Sequence, residues 1–119
     1  MARRATTAAA DRDEAPSGGV LVTGFEPFGG EDVNPSWEIC TRLPTAIGHS
    51  RIDTVRVPTE FRLAIEVAAE AIERLAPSLV ILLGQAGGRA CVSVERVGIN
   101  VDDARIADNA GRQPIDEPV

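Results

Sequence analysis

Residues 20–30 read VLVTGFEPFGG, and this stretch decides the fold. The continuous apolar run from Val20 to Val22 is typical of a strand that is buried on both faces of a parallel sheet. The residues that follow predict a shaped loop, because Pro fixes φ and Gly accepts positive φ. The stretch therefore predicts a buried strand that delivers a glycine-rich loop at its carboxyl end.

Helices and strands alternate beyond this loop. The Asn-Pro pair at 34–35 supplies a favoured N-cap and first helical residue, which predicts a short helix ending before Pro44. Alternating polarity over residues 52–57 predicts a second strand. Apolar residues recur at helical spacing through residues 59–75, which predicts a longer helix with Thr59 as its N-cap.

A second apolar run, LVILL at 79–83, predicts another buried strand, and the glycine loop at 84–88 follows it. The alternation from Cys91 to Val101 predicts extended structure. Residues 102–119 are polar and Pro-rich and predict no clear element. This alternation of strands and helices predicts an α/β fold, in which ligands bind beyond the carboxyl ends of the strands.

Length and composition predict one domain or a part of one, since 119 residues are too few for two domains of ordinary size. Residues 1–19 lack helical periodicity and predict a flexible extension, and residues 20–119 form the domain part. Hydrophobic residues make up 44% of the chain and charged residues 25%, which is the balance of a soluble globular protein.

Charge and residue usage exclude several functions. A net charge of −6 without a basic stripe argues against nucleic-acid binding. The absence of Lys excludes a Lys nucleophile and a P-loop. Two cysteines, with no signal-peptide core and no membrane-length apolar run, predict a cytoplasmic protein without membrane contact.

A nucleotide site is the obvious alternative for the glycines at 84–88. The dinucleotide fingerprint needs a helix that begins at its glycines, so that phosphate meets the helix N-terminus. Here the sequence proceeds into strand-like alternation, and the glycine spacing differs from GxGxxG. This alternative is therefore unfavourable.

Five segments together resemble another family. They are LVTGFEPFGG at 21–30, NPSWE at 34–38, GQAGGR at 84–89, ERVGINVDDARIADN at 95–109 and QPIDE at 113–117. In this order and spacing they resemble pyroglutamyl-peptidase I, also called pyrrolidone-carboxylate peptidase, a family of cysteine peptidases. The resemblance implies a three-layer α/β/α sandwich with a mostly parallel sheet, incomplete in this chain. It also implies peptide substrates with an N-terminal pyroglutamate, and neither a cofactor nor a metal.

The resemblance assigns a catalytic role to one carboxylate. Such chemistry uses a Cys nucleophile, a His base and an acidic residue that orients the imidazole. Glu95 matches the acidic residue, and Asp108 is a nearby rival. Without the motif, Glu95 reads as a solvated residue paired with Arg96. Arg105 matches a position that contacts the substrate or the developing oxyanion, although a surface charge is the ordinary alternative.

The two glycine loops supply the proposed substrate contacts. The functional interpretation of Phe25 and Phe28 is an apolar wall for a flat lactam ring, which the resemblance favours for Phe28 in particular, and core packing under the loop is their alternative role. Gln85 carries a donor and an acceptor that match the lactam amide, whereas capping of its own loop is the competing interpretation.

The family's Cys and His lie beyond Val119, which implies a fragment that is inactive by itself. Cys40, Cys91 and His49 match no site position. If residues 91–101 form a regular strand, Cys91 and Glu95 lie about 13 Å apart, too far for contact. The alternative is a non-catalytic, truncated paralogue that binds pyroglutamyl ends or pairs with a complete subunit. An open sheet edge predicts association or aggregation, and we expect a complete chain to be a homo-oligomer.

Overall fold

The computed structural model describes residues 18–119. The extension expected over residues 1–19 lies outside the described residues except for Gly18 and Gly19. The strands are β1 Val20–Phe25, β2 Ala46–Ile47, β3 Ser50–Val57, β4 Leu79–Leu82, β5 Val101–Asp102 and β6 Glu117–Pro118, and the helices are α1 Pro35–Arg42 and α2 Leu63–Leu75.

The central sheet has the strand order β2-β3-β1-β4. The strand β1 pairs in parallel with β3 on one side and with β4 on the other. The short strand β2 forms an antiparallel hairpin with β3, and β5 pairs antiparallel with β6 outside this sheet. The first apolar run of the sequence is therefore the central strand, and its leucine, Leu21, is fully buried.

The two helices cover opposite faces of the sheet. The chain steps from β1 through α1 to β3, and then from β3 through α2 back across β1 to β4. Because such crossovers are right-handed, steps in opposite directions put their helices on opposite faces. The prediction of a mostly parallel α/β/α arrangement, incomplete in this chain, is confirmed.

The helix α1 begins where its sequence predicts. Asn34 is its N-cap, and the side-chain oxygen of Asn34 accepts a hydrogen bond from the Ser36 N–H at 3.0 Å. Pro35 is the first helical residue, where its missing N–H costs nothing. The helix ends at Arg42, two residues before Pro44.

The predicted start of α2 is wrong. The helix begins at Leu63, and Arg62 before it has a φ of 69°. Thr59 does not cap this helix, because its N–H and its hydroxyl donate to the side chain and the carbonyl of Glu26. A contact 33 residues away in the chain has overridden the local capping signal.

The prediction that β4 is buried on both faces is also wrong. Leu79 is 53% exposed and Leu82 is 65% exposed, because β4 is an edge strand. An open apolar groove of about 390 Å³ runs along it, with Ile39 and Leu43 of α1 on one side and Ile81 on the other. Its apolar sequence is that of a covered strand, but within residues 18–119 nothing covers it.

Residues 91–100 do not form the predicted strand, and of the predicted segment only its last residue, Val101, lies in a strand, β5. The structure is irregular from residue 83 to residue 100, and Val92 and Val94 are 93% and 88% exposed. A strand needs a hydrogen-bonding partner, and this segment pairs with no strand of the described chain. Conversely, residues 102–119, for which no element was predicted, contain Asp102 of β5 and the whole of β6, which pairs with it.

Candidate functional site

The loop after β1 is held firmly against α1. The Phe25 N–H donates to the Ser36 hydroxyl at 2.9 Å, and that hydroxyl donates to the Asn34 side chain at 2.7 Å. Phe25 and Phe28 are both half-buried, so neither residue is enclosed in the core. The geometry suits a wall that a ligand can contact.

A pocket of about 290 Å³ opens at the carboxyl end of β1. It combines aromatic, aliphatic and charged side chains and is lined by Phe25, Thr59, Glu60, Phe61, Arg62, Ala64, Ile65, Asp102 and Asp108. Mostly apolar walls with a few polar groups are typical of small-molecule sites, and the carboxyl edge of a parallel sheet is where they form. The position of the pocket agrees with the sequence expectation for a ligand site.

The side chain of Asp108 is hydrogen-bonded to backbone N–H groups of this region. Its carboxylate accepts hydrogen bonds from the N–H groups of Phe61 at 2.8 Å, Arg112 at 2.8 Å and Ala110 at 3.0 Å. Desolvation raises the pKa of Asp108, but these three bonds and the charge of Arg112 outweigh it and lower the pKa below 3.8. A carboxylate that already accepts three hydrogen bonds has little capacity left to orient an imidazole. This argues against Asp108 as the catalytic acidic residue in place of Glu95.

Three residues expected at the site are exposed and stand outside the pocket lining: Gln85, Glu95 and Arg105. Glu95 pairs with Arg89 at 2.6 Å rather than with Arg96. Solvent screens such a surface pair, so the pair does little to fix Glu95 in one place. Of the five predicted site residues, Phe25 alone lines the pocket.

The two cysteines and the histidine lie in different places. Cys40 is buried in α1, and desolvation raises the pKa of its thiol, outweighing a backbone hydrogen bond that lowers it. Cys91 is exposed and follows β4 at one edge of the sheet. His49 is in the turn of the β2–β3 hairpin at the opposite edge. The exposed thiol and the imidazole therefore belong to segments attached to opposite edge strands of the sheet.

No metal cluster or membrane helix occurs in the described part. Over residues 18–119, no three His, Cys, Asp or Glu side chains come together as a metal ion would require. Neither α1 nor α2, the helices of that range, is long and apolar enough to cross a bilayer.

Comparison with known proteins identifies the family. The family model described as pyroglutamyl peptidase matches residues 19–119. The chain belongs to the pyroglutamyl peptidase family. Pyrrolidone-carboxylate peptidases of Bacillus cereus and Bacillus thuringiensis are each 55% identical to it over 101 residues, which is 84% of this chain and 47% of theirs. The resemblance inferred from the five sequence segments is confirmed.

Solved structures of the family share the fold. Pyroglutamyl peptidase I of Bacillus amyloliquefaciens is 50% identical and superimposes with a TM-score of 0.79. Pyrrolidone carboxyl peptidase of Pyrococcus furiosus is 44% identical, also with a TM-score of 0.79. Each match covers 83% of this chain and 48% of the solved one. The chain thus spans about half the length of the family members that it matches.

The residues that connect the loops of this chain were not predicted from the sequence. Glu26, Thr59 and Asn109 are hydrogen-bonded to one another across separations of up to 83 residues. Glu26 stands between two aromatic residues of the first motif, and Asn109 closes the fourth. A charged residue inside a motif of glycines and aromatics was the one available signal.

Proposed function

We propose that this chain supplies the substrate loops and the acidic residue of a cysteine-type peptidase that removes N-terminal pyroglutamyl residues from peptides. The observation that carries the proposal is the pocket at the carboxyl end of β1, walled by Phe25 of the family's first motif. We also propose a cytoplasmic location, which the free thiols of Cys40 and Cys91 support, and a homo-oligomeric complete protein.

The proposed roles follow the chemistry of each side chain. Phe25 and Phe28 pack against the flat lactam ring, and Gln85 exchanges hydrogen bonds with its amide. The cationic Arg105 stabilises negative charge that develops on the attacked carbonyl oxygen. Glu95 accepts a hydrogen bond from the catalytic imidazole and holds it in the productive tautomer.

The reaction then proceeds in two steps. A thiolate attacks the pyroglutamyl carbonyl carbon, the C–N bond to the next residue breaks, and the imidazolium gives its proton to the leaving amine. Water then attacks the thioester and releases pyroglutamate and the thiol. We assign the thiol and the imidazole to polypeptide beyond Val119, because Cys40 is buried, and Cys91 and His49 belong to segments attached to opposite edge strands of the sheet.

Glu95 must rearrange to take this role. It is exposed and pairs with Arg89, and it lies in the irregular stretch between β4 and β5. We propose that covering the β4 edge orders this stretch, because its alternating apolar residues then gain a partner surface. The exposure of Glu95 also favours a second candidate function, that of a truncated paralogue that binds pyroglutamyl ends without hydrolysing them.

A complementation assay tests the proposal. We expect the 119-residue chain alone to release no fluorescent amine from a pyroglutamyl-amide substrate. Added to the polypeptide that corresponds to the rest of the Bacillus amyloliquefaciens protein, it should give release that a thiol-alkylating reagent abolishes. Glu95→Gln should lower this rate about 100-fold or more, whereas Glu73→Gln on the exposed surface of α2 should not.

Each other result has a distinct meaning. Thiol-sensitive release by the chain alone contradicts the assignment of the nucleophile to another segment. Full activity of Glu95→Gln contradicts the role of Glu95. Binding of a pyroglutamyl peptide without release in any mixture supports the non-catalytic paralogue.

A further inference from the structure

Glu26 joins three separate segments of the chain. Its carboxylate oxygen Oε1 accepts hydrogen bonds from the Thr59 N–H at 3.2 Å and from the Asn109 side-chain amide at 2.9 Å. Its backbone carbonyl accepts from the Thr59 hydroxyl at 2.9 Å and from the Asn34 side-chain amide at 3.1 Å. Its backbone N–H donates to the Val57 carbonyl at 3.0 Å.

These contacts close into a ring, which we call the Glu26 triangle: Glu26, Thr59 and Asn109. Each member is hydrogen-bonded to the other two, because the Asn109 N–H also donates to the Thr59 carbonyl at 3.0 Å. The Asn109 amide additionally donates to the Pro27 carbonyl at 2.9 Å. Since the members lie 33 and 83 residues apart along the chain, the ring fixes segments that local structure cannot hold together.

Each corner of the triangle adjoins a proposed substrate contact. Phe25 immediately precedes Glu26, and Phe25 shares the pocket wall with Thr59. Arg105 stands four residues before Asn109. The same two segments also lie close together at Gly29, since a methyl group added there would lie 3.5 Å from Ile106 Cδ1. The triangle therefore links the aromatic loop to the segment that carries the arginine.

We propose that Glu26 is a positioning residue that holds the aromatic loop and residues 102–112 in register for pyroglutamyl recognition. This role rests on the proposed function and extends it to a residue that does not touch the lactam. The carboxylate oxygen needs only to accept, so Gln at position 26 preserves the geometry with its carbonyl. Ala leaves two N–H donors without their acceptor.

The first test measures amide hydrogen exchange in the 119-residue chain and needs no ligand. In Glu26→Ala we expect about tenfold faster exchange, or more, at the backbone amide of Asn109, which does not itself bond to Glu26. Glu26→Gln should restore protection. Glu31→Ala, an exposed change in the same loop, should leave the exchange rate of the Asn109 backbone amide unchanged. Unchanged exchange at Asn109 in Glu26→Ala would overturn the positioning role.

The second test separates positioning from plain stability. Val57→Ala removes buried side-chain volume but leaves the Val57 carbonyl that accepts from the Glu26 N–H, so it destabilises the fold generally while keeping every hydrogen bond of the triangle. In titrations with L-pyroglutamamide under conditions where every variant is folded, Glu26→Ala should weaken binding about tenfold. Val57→Ala and Glu26→Gln should bind as the wild type does.

Equal weakening by Glu26→Ala and Val57→Ala would mean that Glu26 only stabilises the fold, which overturns the inference. Failure of the wild-type chain to bind L-pyroglutamamide would count against pyroglutamyl recognition by this chain. The exchange at Asn109 would still decide whether Glu26 couples the two segments.

Discussion

Gly24 is a position where one added methyl group has a large expected effect. A Cβ at Gly24 would lie 2.6 Å from the Ser36 carbonyl oxygen, 2.7 Å from its carbonyl carbon and 2.8 Å from the Trp37 Cα. All three are backbone atoms of α1, so no side-chain rotation can relieve the clash. The helix must move away from β1, or the strand must bend.

Overpacking of this kind costs about 1–3 kcal/mol, and the backbone origin of the contacts puts Gly24→Ala near about 3 kcal/mol. With a urea m-value of about 1.5 kcal/mol per molar, the unfolding midpoint should fall by about 2 M. Gly84→Ala is the matched control, because nothing lies within 4 Å of its added Cβ. We expect it to change the free energy of unfolding by less than about 0.5 kcal/mol.

Urea unfolding followed by far-UV circular dichroism measures both variants, and the fluorescence of the single Trp37 provides a second probe beside the altered contact. The reasoning is refuted if Gly24→Ala unfolds within about 0.3 M of the wild type, since the interface would then yield without cost. The same displacement should loosen the Phe25 loop, because the Phe25 N–H bond to Ser36 depends on this close approach.

The remaining predictions concern pH, thiol access and association. Because the folded pKa of Asp108 is lowered, its contribution to stability is complete only well above the unfolded pKa and is lost as the pH falls through the folded value. Wild-type melting should therefore fall below about pH 5 more steeply than that of Asp108→Asn. Parallel curves would contradict this. Iodoacetamide should modify the exposed Cys91 in the native chain and the buried Cys40 after denaturation, as mass spectrometry can check; equal native rates would exclude the described burial. The chain should associate through the apolar β4 edge, and Leu82→Lys should raise the monomer fraction in analytical ultracentrifugation; a monomeric wild type would count against that surface.

Much of the fold was predictable because its signals are local. The buried β1 run, the Asn34–Pro35 helix start and the glycine loops each act within a few residues. The hydrogen bonds and φ preferences that they encode need no distant partner. The five family segments were equally readable, since order and spacing are properties of the sequence.

The site was less predictable, because it depends on which segments meet. Phe61 was expected on a helix, but it lies before α2 and lines the pocket beside Phe25. Asp108 was expected as a rival catalytic group, but it is occupied by three backbone N–H groups. The catalytic role of Glu95 remains a prediction.

By itself, the sequence determined the types of β1, β3, β4 and the two helices, the parallel α/β arrangement and the family, because turn chemistry, hydrophobic periodicity and motif spacing are written along the chain. The tertiary structure decided that Thr59 bonds to Glu26 instead of capping α2, that β4 is an exposed edge and that residues 91–100 form no strand. The physical reason is common to all three. A hydrogen bond or a buried surface needs a partner, and the partner is fixed by how distant segments pack rather than by the residues on either side.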